Sequence, residues 1–183
     1  MTSPPALAVR FRREEDLPVL VEVLGRVTKR HRYPVTPPPD PVAWLTGSRT
    51  RSSFVATLGG RVVGQVSRAV AEGDLALEVW TCALGCTPAE LAVVKRLFVD
   101  PEAGGLGAGR LLLQAVVADA HALGLTPVLD VDAASERARR MYELAGFRLV
   151  GELELTWAGL DGSLAVACYA GPPPPGSPAP AAG

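Results

Sequence analysis

The amino-acid sequence predicts a mixed α/β fold, one sheet flanked by helices. Three observations carry this. An apolar run, Leu91 to Val99, leads through a glycine-rich turn into a helix-like run and then into a second apolar run, Thr126 to Val131. That strand–helix–strand order makes two parallel strands with a right-handed crossover. Two other pairs of apolar runs are joined by Gly59-Gly60 and by Asp161-Gly162, short turns that favour antiparallel neighbours. Near the start, Leu17, Leu20, Val21 and Leu24 recur at helical spacing, the mark of an amphipathic helix.

The elements follow in order. Val9 to Arg12 reads as a short first strand. Glu14-Glu15-Asp16 opens the amphipathic helix, which runs to about Thr28; acidic residues in a first turn suit the helix dipole. A proline-rich loop, Tyr33 to Pro41, ends in a short helix around Trp44. Ser53 to Leu58 and Val62 to Ala71 are two strands of a hairpin. Glu72 to Glu90, which holds Trp80, Cys82 and Cys86, reads as an extended hairpin or an insertion. After the strand Leu91 to Val99 and its glycine turn, a helix over Leu111 to Leu123 stops at Gly124. Ser135 is a good N-cap for a short helix, Glu136 to Ala145, closed by Gly146. Phe147 to Trp157 and Leu164 to Tyr169 complete the sheet. One domain over residues 1–170 is expected, followed by a disordered tail, 171–183, made mostly of Pro, Gly and Ala.

With 183 residues, 48% of them apolar, the chain has the material for a real core. A net charge of −1 gives no sign of a nucleic-acid partner. No apolar run reaches the length of a membrane span. Met1-Thr2-Ser3-Pro4-Pro5 lacks a signal-peptide pattern, so cytoplasm is the expected compartment. Cys82, Cys86 and Cys168, with His31 and His121, do not give the ligand spacing of a zinc site. Reduced thiols and no metal are expected.

The glycine turn carries the chemistry. Gly104, Gly105, Gly107 and Gly109 lie within six residues, between a strand and a helix. Glycine permits positive φ and close approach of a ligand to the backbone. A helix N-terminus adds free N–H groups and a dipole that favours an anion. A nucleoside-triphosphate loop needs Lys-Ser or Lys-Thr after its glycines, and none follows here. A dinucleotide turn needs Gly-x-Gly-x-x-Gly; counted from Gly107 its third position is Leu112, and from Gly105 it is Arg110.

The order Leu97-Phe98-Val99-Asp100-Pro101, then Gly104-Gly105-Leu106-Gly107-Ala108-Gly109, resembles the central motif of the GNAT superfamily of N-acetyltransferases. A second stretch is similar to that family's next motif: Leu129-Asp130-Val131, then Ser135, Ala138, Tyr142 and Gly146-Phe147. The resemblance implies a mostly antiparallel sheet in which the one parallel pair, Leu91–Val99 with Thr126–Val131, is splayed. It implies acetyl-CoA as co-substrate, its pyrophosphate on the amides of Gly105, Leu106, Gly107, Ala108, Gly109 and Arg110, and its pantetheine arm on the backbone around Leu97, Phe98 and Val99. Gly104 stands where the family has Gln or Arg, and Ser135 where it has Asn. Tyr142 is then the acid that protonates the departing thiolate, or, read without the motif, a core residue. The register where the family often places a glutamate base falls on Val93. Glu90, three residues earlier, is a candidate base acting through water, or a solvated residue at the strand start. His31, Arg32 and Tyr33 fall in the loop where the family often builds its acceptor site, and Trp44 and Trp80 are candidates to wall it, or are packing residues. The function implied is transfer of acetyl to a small-molecule or peptide amine by direct attack in a ternary complex. The alternative is a coenzyme A-binding module without turnover. Members of the family often dimerise, so the resemblance makes a homodimer one option and leaves the oligomeric state open.

Overall fold

The computed structural model describes residues 5–156 and 162–176. Seven strands form one mixed sheet in the order β1-β2-β3-β4-β5-β7-β6: β1 (Leu7–Phe11), β2 (Thr50–Leu58), β3 (Arg61–Val70), β4 (Leu91–Val99), β5 (Thr126–Asp132), β6 (Arg148–Leu155) and β7 (Leu164–Ala170). The flanking helices are α1 (Leu17–His31), α2 (Pro41–Thr46), α3 (Leu77–Leu84), α4 (Ala108–Ala122) and α5 (Glu136–Leu144). The chain divides into two compact units, residues 1–68 with 95–116 and residues 69–94 with 117–183.

In the first unit, β1 pairs antiparallel with β2 from Leu7↔Leu58 to Phe11↔Phe54. The β2–β3 connection is the Gly59-Gly60 turn, with φ of +57° and +84°. Positive φ at both central residues gives the twist that suits a two-residue hairpin. α1 buries Leu20, Val23, Leu24 and Val27 against Leu45, Val55, Val62 and Phe98. Its start is set by Asp16, which accepts two 2.7 Å hydrogen bonds from Arg10 and one from the Arg13 amide. The acidic run Glu14–Asp16 is a single 3-10 turn before α1, and the helix proper extends three residues beyond Thr28, to His31.

The second unit is built on Trp80, Leu91, Val93, Val128, Val166 and Cys168, all buried together. β4 and β5 are parallel, with register only from Leu91↔Thr126 to Val93↔Val128. On its other edge β5 pairs antiparallel with β7, from Val128↔Ala170 to Asp132↔Val166. The expected splay of the parallel pair is this early end to the register.

Residues 72–90, read as an extended hairpin or an insertion, contain the helix α3 and so are not a hairpin. Leu77, Trp80 and Leu84 share one face of that helix and pack into the core. Asp74 accepts from the Ala76 amide just before it, and Gly85 at φ +61° ends it. Gly151 on β6 leaves room for α3, since a Cβ there would lie 2.6 Å from Val79 Cγ1. Two hydrogen bonds hold the first residues of the tail. The Gly171 amide donates to Pro127 O at 2.7 Å, and His121 Nε2 lies 2.9 Å from Pro172 O. Trp157, Asp161 and residues 177–183 lie outside the described residues.

Candidate active site

The glycine turn is held from below by a buried carboxylate. Asp100 is 1% exposed and receives Arg26 Nη2 at 2.6 Å and the Glu102 amide at 3.1 Å. Burial works to raise its pKa; the hydrogen bonds from Arg26 and Glu102 outweigh that and hold it below the usual carboxylate value. Asp16 is likewise held low, chiefly by its hydrogen bond from Arg10. Folded-state values below the unfolded ones contribute stability above the unfolded pKa, about 4, and that contribution is lost as pH falls through the folded values. Asp100→Ala is therefore expected to cost about 2 kcal/mol at neutral pH, below a fully buried pair because Arg26 is 39% exposed. Urea unfolding at pH 7 and pH 3 measures this: the gap between wild type and variant should narrow at pH 3.

From Gly104 to Gly107 the turn is exposed. Gly105 and Gly107 have φ of +81° and +87°, and a Cβ at either meets nothing within 4 Å. Backbone conformation, not crowding, requires glycine there. Gly104 is different: a Cβ would come 3.0 Å from Pro101 O. That close approach is a physical reason for a missing side chain where the family has Gln or Arg. α4 begins at Ala108, three residues earlier than expected, and its first bond runs from Leu111 N to Gly107 O. The amides just ahead of Leu111 therefore have no partner within the helix.

The end of β4 supplies a second feature of the same unit. Asp100 N donates to Val63 O at 2.7 Å. Backbone groups alternate sides along a strand, so those of Leu97 and Val99 face the other edge. Phe98 is buried in the core, while Leu97 and Val99 are half-buried. Gly64 on β3 keeps this segment in place, because a Cβ there would sit 2.5 Å from Phe98 O and 3.0 Å from Val99 Cα. Both are backbone atoms that cannot swing aside. Gly64→Ala is expected to cost about 1–3 kcal/mol, the usual range for overpacking, read as a lower urea midpoint at unchanged slope.

Arg96, just before this segment, was not singled out by the sequence analysis. Its φ is +56°. Its Nη1 donates to Thr50 Oγ1 at 2.9 Å, and its guanidinium carbon lies 5.2 Å from the Trp44 ring centroid. A cation in the middle of an apolar strand was the available signal.

Of the acceptor-site expectations, His31 ends α1 and is exposed, and Arg32 is the left-handed C-cap at φ +54°. Tyr33 is half-buried, edge-on to Trp44 at 6.2 Å between centroids. Trp80 is a correction: it is 0% exposed within the core of the second unit and so walls no substrate site.

Tyr142 lies on the buried face of α5, 8% exposed, with Phe147 and Tyr169 rings 6.0 and 6.4 Å away. Burial, then the negative charge of Asp130, pushes its phenol above the ordinary tyrosine value. It stays protonated at any physiological pH, the state required of an acid. α5 is pinned by Tyr169, whose hydroxyl donates to Glu143 at 2.8 Å and accepts from Arg139 Nε at 3.0 Å. Ser135 occupies the N-cap position, but its side chain makes no cap hydrogen bond. Glu90 is exposed, and its carboxylate accepts from the Thr87 amide and hydroxyl at 2.8 and 2.7 Å. The Thr87 amide bond and then the hydroxyl bond keep it ionised by lowering its pKa.

Among the described residues no group of three His, Cys, Asp or Glu is arranged to hold a metal, and no helix is long and apolar enough to cross a membrane.

The model of the acetyltransferase (GNAT) family matches residues 21–147. No curated protein matches the chain in sequence. Solved structures share the fold. One is yncA of Salmonella typhimurium with its cofactor acetyl-CoA: TM-score 0.71, 17% identity, 97% of this chain and 99% of that one covered. Another is the ribosomal-protein-S18-alanine N-acetyltransferase of Escherichia coli: TM-score 0.68, 20% identity, 94% and 97% covered. An N-acetyltransferase of Staphylococcus aureus is similar at TM-score 0.69 and 21% identity, with 90% and 97% covered.

Proposed function

The chain belongs to the GNAT acetyltransferase family, and from that premise we propose that it transfers acetyl from acetyl-CoA to an amine by direct attack. The exposed turn with two positive-φ glycines at the start of α4 is the observation that carries this reading. Its free amides, from Gly105 to Arg110, suit a pyrophosphate. The backbone of Leu97 and Val99, on the edge away from β3, suits the amide groups of a pantetheine arm. Ser135, whose hydroxyl is not spent on its helix, is a further hydrogen-bonding group for the same arm.

In the proposed reaction the amine nitrogen bonds to the thioester carbonyl carbon and the carbon–sulfur bond breaks. Tyr142 gives its phenolic proton to the leaving sulfur and is reprotonated from solvent. The ammonium proton of the new amide leaves to water. Glu90 is not needed as a base, and its carboxylate is engaged by Thr87.

That engagement, with Val93 in the register of a base, favours the second reading, a coenzyme A-binding module without turnover. Thiol release from acetyl-CoA over a panel of amines separates the two. Acetylation of any amine supports transfer. A thermal shift with coenzyme A but no thiol release leaves the binding module. No thermal shift at all removes both.

A further inference from the structure

Within the first unit, Arg12 and Arg96 are near enough for their charges to act on each other, and neither forms a salt bridge among the described residues. Arg96 sits in a left-handed conformation that disfavours any residue but glycine. Such a break re-aims a side chain, and here the aim is inward. The guanidinium lies over Trp44, donates to Thr50, and fills the space beside Gly47, where a Cβ would be 2.5 Å from Nη2. Burial lowers the Arg96 pKa; the Tyr33 phenol raises it; the positive charges of Arg49 and Arg12 lower it further. Arg12 is half-buried too, and its Nη1 donates to Leu45 O at 2.9 Å and Gln65 Oε1 at 3.0 Å. Asp16 acts on Arg12 only at a distance, because its carboxylate is clamped by Arg10.

Gln65 completes the cluster. It is 0% exposed, and turning Oε1 toward Arg12 leaves its Nε2 with no hydrogen-bond partner among the described residues. A buried donor without an acceptor, beside two guanidiniums that repel each other, is costly. One ligand group relieves both defects: an anionic oxygen that accepts from Gln65 and neutralises the arginines.

We propose that this cluster recognises a carboxylate on the acceptor, so that the acceptor is an amino-acid-like molecule carrying both amine and carboxylate. The proposal rests on the acetyl-transfer reading for its placement: Arg96 directly precedes Leu97, whose backbone holds the arm near the thioester. The coenzyme phosphates have their own cradle at residues 105–110, so the cluster is left for the acceptor. Guanidinium forks match a planar carboxylate in paired hydrogen bonds, and the Gln65 amide adds one more donor.

The test is calorimetric binding of the twenty standard amino acids, each against its own C-terminal amide, with phosphoethanolamine as the phosphate counterpart. At least one amino acid is expected to bind tenfold or more tightly than its amide. Arg96→Gln should bring that pair within about twofold while the coenzyme A thermal shift persists. Gly47→Ala keeps the charge but displaces the guanidinium. It should weaken the preference in the same direction, and it decides the matter if Arg96→Gln does not fold. The proposal is overturned if no amino acid is preferred over its amide, if the preference survives these substitutions, or if phosphoethanolamine is preferred. Thiol release measured on the same panel keeps the two readings apart. Carboxylate binding without thiol release refutes turnover and leaves the anion site standing. Acetylation that ignores the carboxylate refutes the anion site and leaves turnover standing.

Discussion

Tyr142→Phe is expected to lower kcat for acetyl transfer by about 10²-fold, the lower end for losing a positioned acid, with little change in KM for acetyl-CoA. The ring of phenylalanine keeps the contacts to Phe147 and Tyr169, so the fold should survive and the melting temperature should stay close to wild type. What is lost is one proton donor. Burial and Asp130 hold that proton on the phenol, which gives the prediction its pH signature. An unperturbed phenol ionises near pH 10, and a raised one ionises later. The wild-type rate should therefore show no alkaline fall from this group below about pH 10. Steady-state kinetics from pH 6 to 10 on both proteins checks it. A variant within twofold of wild type would return Tyr142 to a packing role.

The parts of the fold legible in sequence were those where one residue type has one physical meaning. Gly59 and Gly60 mark a turn because both adopt positive φ. Gly105 and Gly107 do the same ahead of α4. The strand–helix–strand order dictated the parallel pair, and the register ending at Val93↔Val128 bore out its splay. α3 was missed because its face, Leu77, Trp80 and Leu84, spans only eight residues between glycines, too short for a period to stand out. Trp80 was misassigned for the same reason, since only the packing shows it at the centre of a core. The site was harder to read than the fold. In one dimension Arg96 shows only as a cation beside Lys95 within an apolar strand. Its role emerges only once Trp44, Thr50, Gly47 and Arg12, far away in the chain, are folded around it. Gln65 carries no sequence signal at all. An orphaned buried amide is a property of its surroundings.

Gly107→Val is expected to abolish the thermal shift with coenzyme A and to raise KM for acetyl-CoA at least tenfold, about 1.4 kcal/mol of binding. The size of the effect follows from what surrounds the residue. A Cβ at Gly107 meets no atom within 4 Å, so the protein itself has room for the side chain. The cost to folding is then limited to forcing a β-branched residue to φ +87°, about 1–2 kcal/mol if the turn holds and less if it relaxes. Either response harms the ligand. A turn that holds puts two methyl groups beside the amides leading into Leu111. A turn that relaxes rotates those amides away from a common focus. Gly60→Val makes the control, since it too has positive φ, +84°, and open space around it, but lies in the β2–β3 hairpin. The two variants should lose comparable stability, and only Gly107→Val should lose coenzyme A. Equal loss of coenzyme A in both would mean that general destabilisation explains the effect and that the turn holds no phosphate.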